Sequence, residues 1–388
     1  MNGENVKEKK VELETVVEGK TKKFVIPRSK IFLPVNSNVE KEHKEFIPQE
    51  FKFEDHGGLL QKVAMMINMN HPVLLIGETG TGKTSLVRYL ASKTNNAFRR
   101  VNHDGGTTVD DIKGGVRLDA KGTCWVDGVL ADAMRKGYWY FADELNAASA
   151  EITFAYHSLL DEDGMLVLSE NEGEIIKPHK NFRFFAAMNP AADYVGTKEL
   201  NRALLSRFVV FKVNFPDPVK EEKILVRRVG IDANIAKKMI KFAVEIRANK
   251  AKNQIDFILS TRELIMWAGL FQIYKKYIIS AELAILNKVK DGDFESIKDL
   301  LSLHFLSLDK ASARSKTSKA KTKQVKHAPY RGFSVGDKVK HATRDKIDVV
   351  VLLPGMPEYD KVGFSDASEG FFLKDTGWSE IKYWELVK

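Results

Sequence analysis

The chain has 388 residues, of which 44% are hydrophobic, enough to fill the cores of two or three domains. It has no run of the roughly 18 to 20 apolar residues that span a bilayer, and its opening, MNGENVKEKK, is too charged for a secretory signal. We therefore expect a cytoplasmic protein without membrane contact. Its single cysteine, Cys124, excludes an internal disulfide framework, and no histidines join it at the spacing of a zinc site.

The net charge of +9 is concentrated in one segment. Between Asp309 and Gly332 there are eight Lys or Arg and one acid, a local charge of +7, which leaves +2 for the rest of the chain. Phosphate binding requires basic side chains spread over a folded face, so this pattern argues against a wide nucleic-acid footprint. It favours a solvated, flexible linker, with a nucleic-acid tether as the alternative.

The first half of the chain predicts an α/β domain behind a polar extension. Residues 1–48 are polar, with short apolar stretches that suit an extension or a small strand-bearing arm. Residues 49–216 alternate unbroken apolar runs with helical spacing, which is typical of a parallel sheet covered by helices on both faces. Buried strands are predicted at 72–76, 138–142 and 182–188, and a helix at 85–92.

The second half predicts three further parts. Residues 217–307 have helical spacing throughout and suit a separate helical lid. Residues 308–332 form the basic segment, which has almost no large apolar side chains and is predicted to be a flexible linker. Residues 333–388 combine short apolar runs with Gly and Pro turns and suit a small all-β barrel of the SH3 or Tudor type, whose aromatic residues we assign to its core.

A phosphate-binding loop is predicted between the first strand and helix. Residues 77–84, GETGTGKT, match the P-loop pattern G-x-x-x-x-G-K-[ST] at every fixed position. Its glycines let backbone N–H groups turn towards phosphates, and the helix dipole adds to the attraction. Lys83 is predicted to reach the β- and γ-phosphates of ATP, and the Thr84 hydroxyl to ligate Mg²⁺. The predicted nucleotide-binding residues are Gly77, Glu78, Thr79, Gly80, Thr81, Gly82, Lys83, Thr84 and Ser85.

Two carboxylates end the second predicted strand, in the sequence YWYFADE at 138–144. This segment resembles a Walker B motif. Asp143 is predicted to hold Mg²⁺, directly or through water, and Glu144 to polarise the attacking water as general base. An acidic pair after a strand is also common as a helix cap, and the P-loop upstream favours the catalytic interpretation.

An asparagine ends the third predicted strand, in the sequence FFAAMNP at 184–190. Asn189 at this position can hold the catalytic water near the γ-phosphate. Asn-Pro is also a frequent turn signal, so the catalytic role depends on the two motifs before it.

The order and wording of these motifs resemble AAA+ ATPases of the MoxR group, and specifically the cobaltochelatase CobS subunit, over about residues 49–290. Beyond the P-loop, the resemblance includes Arg100-Val101-Asn102 with Asp104, Asn146-Ala147-Ala148, Ile176-Lys177-Pro178-His179, and Gly196-Thr197 leading to Asn201. It implies two surface hairpins, at 110–129 and 164–176, which similar motors point towards a pore or partner.

The resemblance also implies two catalytic arginines. Arg207 matches the arginine finger that enters the neighbouring subunit's nucleotide pocket, and Arg202 is a second candidate for that role. Arg262 matches the lid arginine, called sensor 2, that touches the γ-phosphate within its own subunit. A finger acting between subunits needs a head-to-tail contact that closes into a ring, so we expect a homo-hexamer.

Three functions are compatible with this sequence. The leading hypothesis is a Mg-ATP-driven remodeller that acts with a partner carrying a von Willebrand A domain, or in metal insertion or complex maturation. The alternatives are a nucleic-acid motor, including a GTP-using one, which would bind through the basic linker or C-terminal barrel, and a nucleotide-gated regulatory ring. Asn287-Lys288-Val289-Lys290 lacks the aspartate of guanine-specific NTPases, which favours ATP.

Overall fold

The computed structural model describes residues 15–18, 21–37, 39, 41–119, 122–162, 164–190 and 199–318, and five short strands between 338 and 386. The chain divides into two compact units, Met1–Ala311 and Ser312–Lys388. No helix among the described residues combines the length and apolar character needed to span a bilayer.

The N-terminal strands form a small antiparallel sheet, in the order β1 (Thr15–Glu18), β2 (Thr21–Val25), β3 (Phe32–Pro34). Although these strands belong to the predicted extension, Phe24, Ile26 and Leu33 are buried in the core of the α/β domain. The Phe24 ring lies 6.2 Å from that of Tyr89. The backbone N–H of Asn36 also donates to the Thr94 carbonyl at 2.8 Å, so this arm is packed onto the domain that follows.

Among its described residues, the α/β domain has six α-helices, a central sheet and two hairpins. In chain order its elements are α1 (Leu59–Asn68), β4 (Val73–Ile76), α2 (Lys83–Lys93), β5 (Phe98–Asn102), α3 (Val109–Lys113), β6 (Gly114–Asp119), β7 (Gly122–Asp127), α4 (Val129–Lys136), β8 (Trp139–Asp143), α5 (Ala150–Leu160), β9 (Leu166–Leu168), β10 (Glu174–Ile176), β11 (Arg183–Met188), α6 (Arg202–Leu205) and β12 (Val209–Lys212).

The central sheet has the order β12-β4-β11-β8-β5, and every neighbouring pair is parallel. Alternate side chains of its strands enter two different cores, because successive residues of a strand face opposite sides. Val73, Leu75, Phe141 and Phe185 pack with α1 and α2, whereas Leu74, Tyr140, Ala142 and Phe184 pack with α4 and α5. The predicted parallel sheet with helices on both faces is confirmed.

Two antiparallel hairpins lie where the resemblance implied them, β6–β7 and β9–β10. Arg135 on α4 joins them: its Nε donates to Asp127 at 2.7 Å, and its two terminal nitrogens donate to the Glu174 carboxylate at 2.7 Å. Both hairpins expose apolar side chains, including Leu118, which is 83% exposed, and Ile175. The hairpins are therefore joined to each other while keeping apolar surface available for contact.

The residues after the sheet form a helical lid, as predicted. Its helices are α7 (Pro218–Val229), α8 (Ala233–Ala251), α9 (Thr261–Tyr274), α10 (Tyr277–Ala284) and α11 (Asp291–Ser318). Its core surrounds the fully buried Trp267, against which Phe242 and Phe305 pack edge-on.

Helix α11 continues to Ser318, past residue 308, where the sequence predicted that a linker begins. Asp309, the one acid of the basic segment, is buried, and its carboxylate accepts the backbone N–H groups of Tyr277 and Ile278 at 2.8 and 3.0 Å. It thus satisfies the free N–H groups at the start of α10. The rest of the predicted linker, 319–332, lies outside the described residues.

The C-terminal unit contains a five-stranded antiparallel sheet in the order β16-β15-β14-β13-β17. Its strands are β13 (Lys338–His341), β14 (Ile347–Leu352), β15 (Gly370–Leu373), β16 (Gly377–Glu380) and β17 (Trp384–Leu386). Strands β13 to β16 run as a meander, and β17 pairs with β13. The residues of this segment that the structure describes all lie in strands, and the all-β, SH3-like barrel stays a prediction.

A buried ion pair holds the lid together. Glu221 on α7 is fully buried and forms a bidentate pair with Arg247 on α8, with both N–O distances 2.8 Å. The same carboxylate accepts the Thr261 hydroxyl at the start of α9, and the Arg247 guanidinium lies 4.1 Å from the centre of the Phe215 ring. One pair therefore fixes three helices and the segment that enters the lid.

Replacing Glu221 by Gln is expected to destabilise the lid strongly. The amide keeps the shape of the side chain but leaves the Arg247 charge buried without its counter-ion, which costs about 3 to 5 kcal/mol. Urea unfolding of the full chain, followed by circular dichroism, measures the effect. Lys298→Ala, which breaks an exposed pair with Glu295, is the control and should cost less than about 1 kcal/mol. A Glu221→Gln protein as stable as this control would contradict the prediction.

Candidate nucleotide-binding site

The P-loop connects β4 to α2 and has the backbone that its glycines allow. Gly80 and Gly82 have φ angles of 78° and 94°, in the left-handed region that side chains disfavour. A Cβ on Gly77 would lie 2.1 Å from the carbonyl oxygen of Val213, just after β12. Glycine is therefore required at position 77 by the close approach of a neighbouring strand, and at 80 and 82 by the turn itself.

The Lys83 ammonium is buried inside this loop. It donates to the carbonyl oxygens of Gly77 and Glu78 at 2.6 and 2.9 Å and to Asn189 Oδ1 at 2.9 Å. Burial lowers the pKa of Lys83 from its ordinary 10.5 to about 8, although the charge of Asp143 opposes the shift. The site therefore holds a buried ammonium group whose three N–H donors all bond to protein oxygens.

The Thr84 hydroxyl and the Asp143 carboxylate meet at the mouth of the loop. The hydroxyl donates to Asp143 Oδ2 at 3.0 Å, and the other carboxylate oxygen accepts the Glu144 N–H at 3.1 Å. Hydroxyl and carboxylate oxygens are the hard ligands that Mg²⁺ prefers in phosphate sites. The chemistry of these two groups therefore fits the predicted magnesium ion.

Arg100 is a cleft residue to which the sequence analysis assigned no role. It lies on β5, next to β8 in the sheet, and its Nε and one terminal nitrogen contact Asp143 Oδ2 at 2.9 and 2.8 Å. The sequence signal for this role is the alternation of side chains along β5, which places Arg99 and Arg100 on opposite sides of the sheet. The parallel pairing of β5 with β8 then brings Arg100 next to Asp143.

Glu144 lies at the end of β8 with a left-handed backbone, φ 53° and ψ 41°. A non-glycine residue in this region carries strain that the surrounding structure must maintain, and such residues cluster at functional sites. Its side chain is exposed and lines the cleft. The backbone thus presents this carboxylate to the space above the P-loop.

A chain of buried hydrogen bonds supports the end of β8. His103 Nδ1 lies 2.9 Å from the Asp143 carbonyl oxygen, which can only accept, so this nitrogen carries the proton. His103 Nε2 then accepts from the Tyr156 hydroxyl at 2.7 Å, and Tyr156 accepts from Tyr140 at 2.7 Å. Burial lowers the pKa of His103, which keeps the ring neutral and this arrangement fixed.

The lid closes one side of the site. Ser260 caps α9, and a Cβ on Gly80 would lie 3.0 Å from that of Ser260 and 3.3 Å from that of Arg262. The resulting cleft between sheet and lid measures about 500 Å³. Seven of the nine predicted nucleotide-binding residues, Thr79 to Ser85, line it, together with Asp143, Glu144, Asn189 and Arg262. Gly77 and Glu78 lie behind Lys83 as its carbonyl acceptors.

Arg207 is held away from this cleft within its own chain. Its guanidinium donates to the Asp161 carboxylate, just after α5, and to the Ala203 carbonyl oxygen. Arg202 is exposed at the start of α6, one turn earlier. Neither arginine is among the residues that line the cleft, so the choice of finger stays a prediction.

Two family models match this chain, one over the α/β domain and one over the helical lid. Residues 72–208 match the family model described as "AAA domain (dynein-related subfamily)", and residues 221–302 match the model described as "CbbQ/NirQ/NorQ C-terminal". The first match covers the sheet with its P-loop, and the second covers the lid.

Individual relatives agree with these models. Midasin of Dictyostelium discoideum is 35% identical over 210 residues, 53% of this chain, but these span only 4% of midasin's length. Protein CbbQ of Hydrogenophilus thermoluteolus is 31% identical over 220 residues, 57% of this chain and 81% of CbbQ. Protein NorQ of Paracoccus denitrificans is 31% identical over 199 residues, 51% of this chain and 73% of NorQ. With these alignments, the P-loop cleft and the lid, the chain belongs to the CbbQ/NirQ/NorQ group of AAA+ ATPases.

Proposed function

We propose that this protein couples hydrolysis of Mg-ATP to the remodelling of a partner protein, and that it works as a head-to-tail ring of six subunits. The observation that carries the proposal is the convergence of Lys83, Thr84, Asp143, Glu144 and Asn189 on one cleft. They come from α2, β8 and the ends of parallel strands, and together they provide a phosphate cation, magnesium ligands, a general base and a water-binding amide.

Each group has a distinct part in the reaction. Lys83 exchanges carbonyl oxygens for phosphate oxygens when nucleotide binds, because the P-loop already positions its ammonium. Thr84 and Asp143 would hold Mg²⁺, whose charge offsets that of the phosphates. Glu144 takes the proton of the attacking water, and Asn189, which lies 2.9 Å from Lys83, orients that water. Arg262, at the start of α9, touches the γ-phosphate and so connects the bound nucleotide to the lid.

The two hairpins support a partner-protein role. Their exposed apolar side chains and their link through Arg135 make a single surface that can bind a client. By the resemblance to MoxR motors and CobS, that client acts with a von Willebrand A domain, in metal insertion or complex maturation in the cytoplasm. The closeness to CobS stays a prediction. So does the nucleic-acid alternative, since most of its basic segment lies outside the described residues.

Glu144→Gln is expected to bind ATP and ADP normally and to lose at least about 100-fold in steady-state hydrolysis. The amide occupies the same space but cannot take a proton from water. Phosphate release and binding of a fluorescent ADP analogue measure the two effects separately. Glu282→Gln, at an exposed position of the lid, is the matched control and should retain full activity. Undiminished hydrolysis in Glu144→Gln would remove Glu144 from the role of base.

Nucleotide affinity should fall about tenfold between pH 7 and pH 9. With a pKa of about 8, Lys83 is charged at pH 7 and mostly neutral at pH 9, so binding at high pH requires proton uptake. The phosphates contribute little to this change, because their second ionisation lies near pH 6. Titration of ADP at fixed Mg²⁺ measures the affinity, and calorimetry in two buffers measures the proton uptake. A constant affinity without proton uptake would show that Lys83 is fully charged throughout.

Mixed rings test whether Arg207 acts between subunits. Arg207→Ala should bind ATP and hydrolyse it about 10³-fold or more slowly, as in NTPases that lose a finger. Lys83→Ala lacks a working pocket but keeps its finger, so mixing the two inactive proteins should restore part of the activity. Arg202→Ala, mixed in the same way, tests the rival finger. If Arg207→Ala and Lys83→Ala co-assemble without any recovery, Arg207 does not act in trans.

A further inference from the structure

Arg100 occupies a position in the cleft that the roles above do not use. It lies on β5, the edge strand beside β8, and its side chain is 48% exposed while that of Asp143 is 9% exposed. Arg99, its neighbour, pairs instead with Asp132 at 3.5 Å and lies over the Phe46 ring. Two adjacent arginines thus have different surroundings, and only one of them touches a predicted magnesium ligand.

The shortest contacts of Arg100 go to one oxygen atom of Asp143, and a terminal nitrogen also donates to Asn102 Oδ1 at 3.3 Å. Asp143 Oδ2 receives Nε of Arg100 at 2.9 Å, a terminal nitrogen of Arg100 at 2.8 Å and the Thr84 hydroxyl at 3.0 Å. A carboxylate oxygen has about two lone-pair directions, so three donors leave none for a further cation. The other oxygen is already bonded to the Glu144 N–H.

We infer that Arg100 is a placeholder cation that competes with Mg²⁺ for Asp143 and thereby sets the magnesium concentration at which nucleotide binds. This inference rests on the proposed magnesium-nucleotide site. A nearly buried carboxylate needs a positive partner, because burying an unpaired charge is costly. Arg100 supplies that partner in the nucleotide-free protein and must release Asp143 before this carboxylate could hold the ion, directly or through water.

The competition has two measurable consequences. Without Arg100, the nucleotide-free protein loses the partner of Asp143 and should unfold at a lower temperature. The magnesium-bound form does not use the Arg100 contact. Mg-ADP should therefore raise the unfolding temperature of the variant more than that of the wild type. Both effects lower the magnesium requirement.

The test uses the full chain, a fluorescent ADP analogue at fixed concentration, and a titration of free Mg²⁺ from a chelated start. Arg100→Gln should reduce the half-saturating Mg²⁺ concentration about tenfold, the scale of a lost charged hydrogen bond. Arg100→Lys keeps the charge and should lie close to wild type. Arg99→Gln, on the other side of the same strand, should leave the magnesium dependence unchanged.

The outcomes separate this inference from the proposed function. If ADP binding to the wild-type protein does not depend on Mg²⁺ at all, the magnesium site itself is wrong. If wild-type binding requires Mg²⁺ and Arg100→Gln has an unchanged or higher requirement, the placeholder role is overturned while the site stands. Thermal unfolding in chelator and in Mg-ADP provides the second measurement, and an unchanged difference between the two midpoints would also overturn the inference.

Discussion

The buried ammonium of Lys83 is the interaction on which the rest of the site depends. An ammonium that is removed from water must find oxygen partners, and here they are two carbonyls of the P-loop and the Asn189 amide oxygen at the end of β11. This requirement fixes the curl of the loop and ties β4 to β11, its neighbour in the sheet. In the proposed function these partners are exchanged for phosphate oxygens, so the contacts that stabilise the loop also position the ammonium for a nucleotide.

The lid contributes through a second buried charge. Glu221 holds Arg247 and the Thr261 hydroxyl, and Thr261 directly precedes Arg262. The start of α9 lies against the P-loop, since a Cβ placed on Gly80 would lie 3.0 Å from that of Ser260 and 3.3 Å from that of Arg262. The ion pair inside the lid therefore holds the segment of the lid that faces the P-loop. Buried charged groups with protein partners therefore lie on both sides of the cleft, Lys83 in the P-loop and Glu221 in the lid.

Local pattern was enough to predict the parts of the structure that depend on neighbours in sequence. The apolar runs ending at Gly77, Asp143 and Asn189 are buried parallel strands, as predicted, since both faces of the sheet are covered. Contacts between distant residues could not be obtained in this way. Composition placed the start of a linker at 308, yet Asp309 is buried because it caps a helix 32 residues earlier. The pairing of Arg100 with Asp143 likewise requires the order of strands, which no single strand encodes.

Helix α5 connects the end of β8 to the predicted finger. Tyr156, on this helix, bonds through His103 to the Asp143 carbonyl oxygen, and Asp161, which ends the same helix, binds Arg207. Tyr156 and Asp161 are five positions apart, a rise of about 7.5 Å along the helix axis. The link at the cleft end is a neutral, fully buried hydrogen-bond chain, and the link at the other end is an exposed ion pair. A buried chain resists rearrangement, whereas an exposed pair is weak and exchanges readily with water or another charge. Arg207 is therefore bound at the more labile end of this connection, as the proposed role of arginine finger would require.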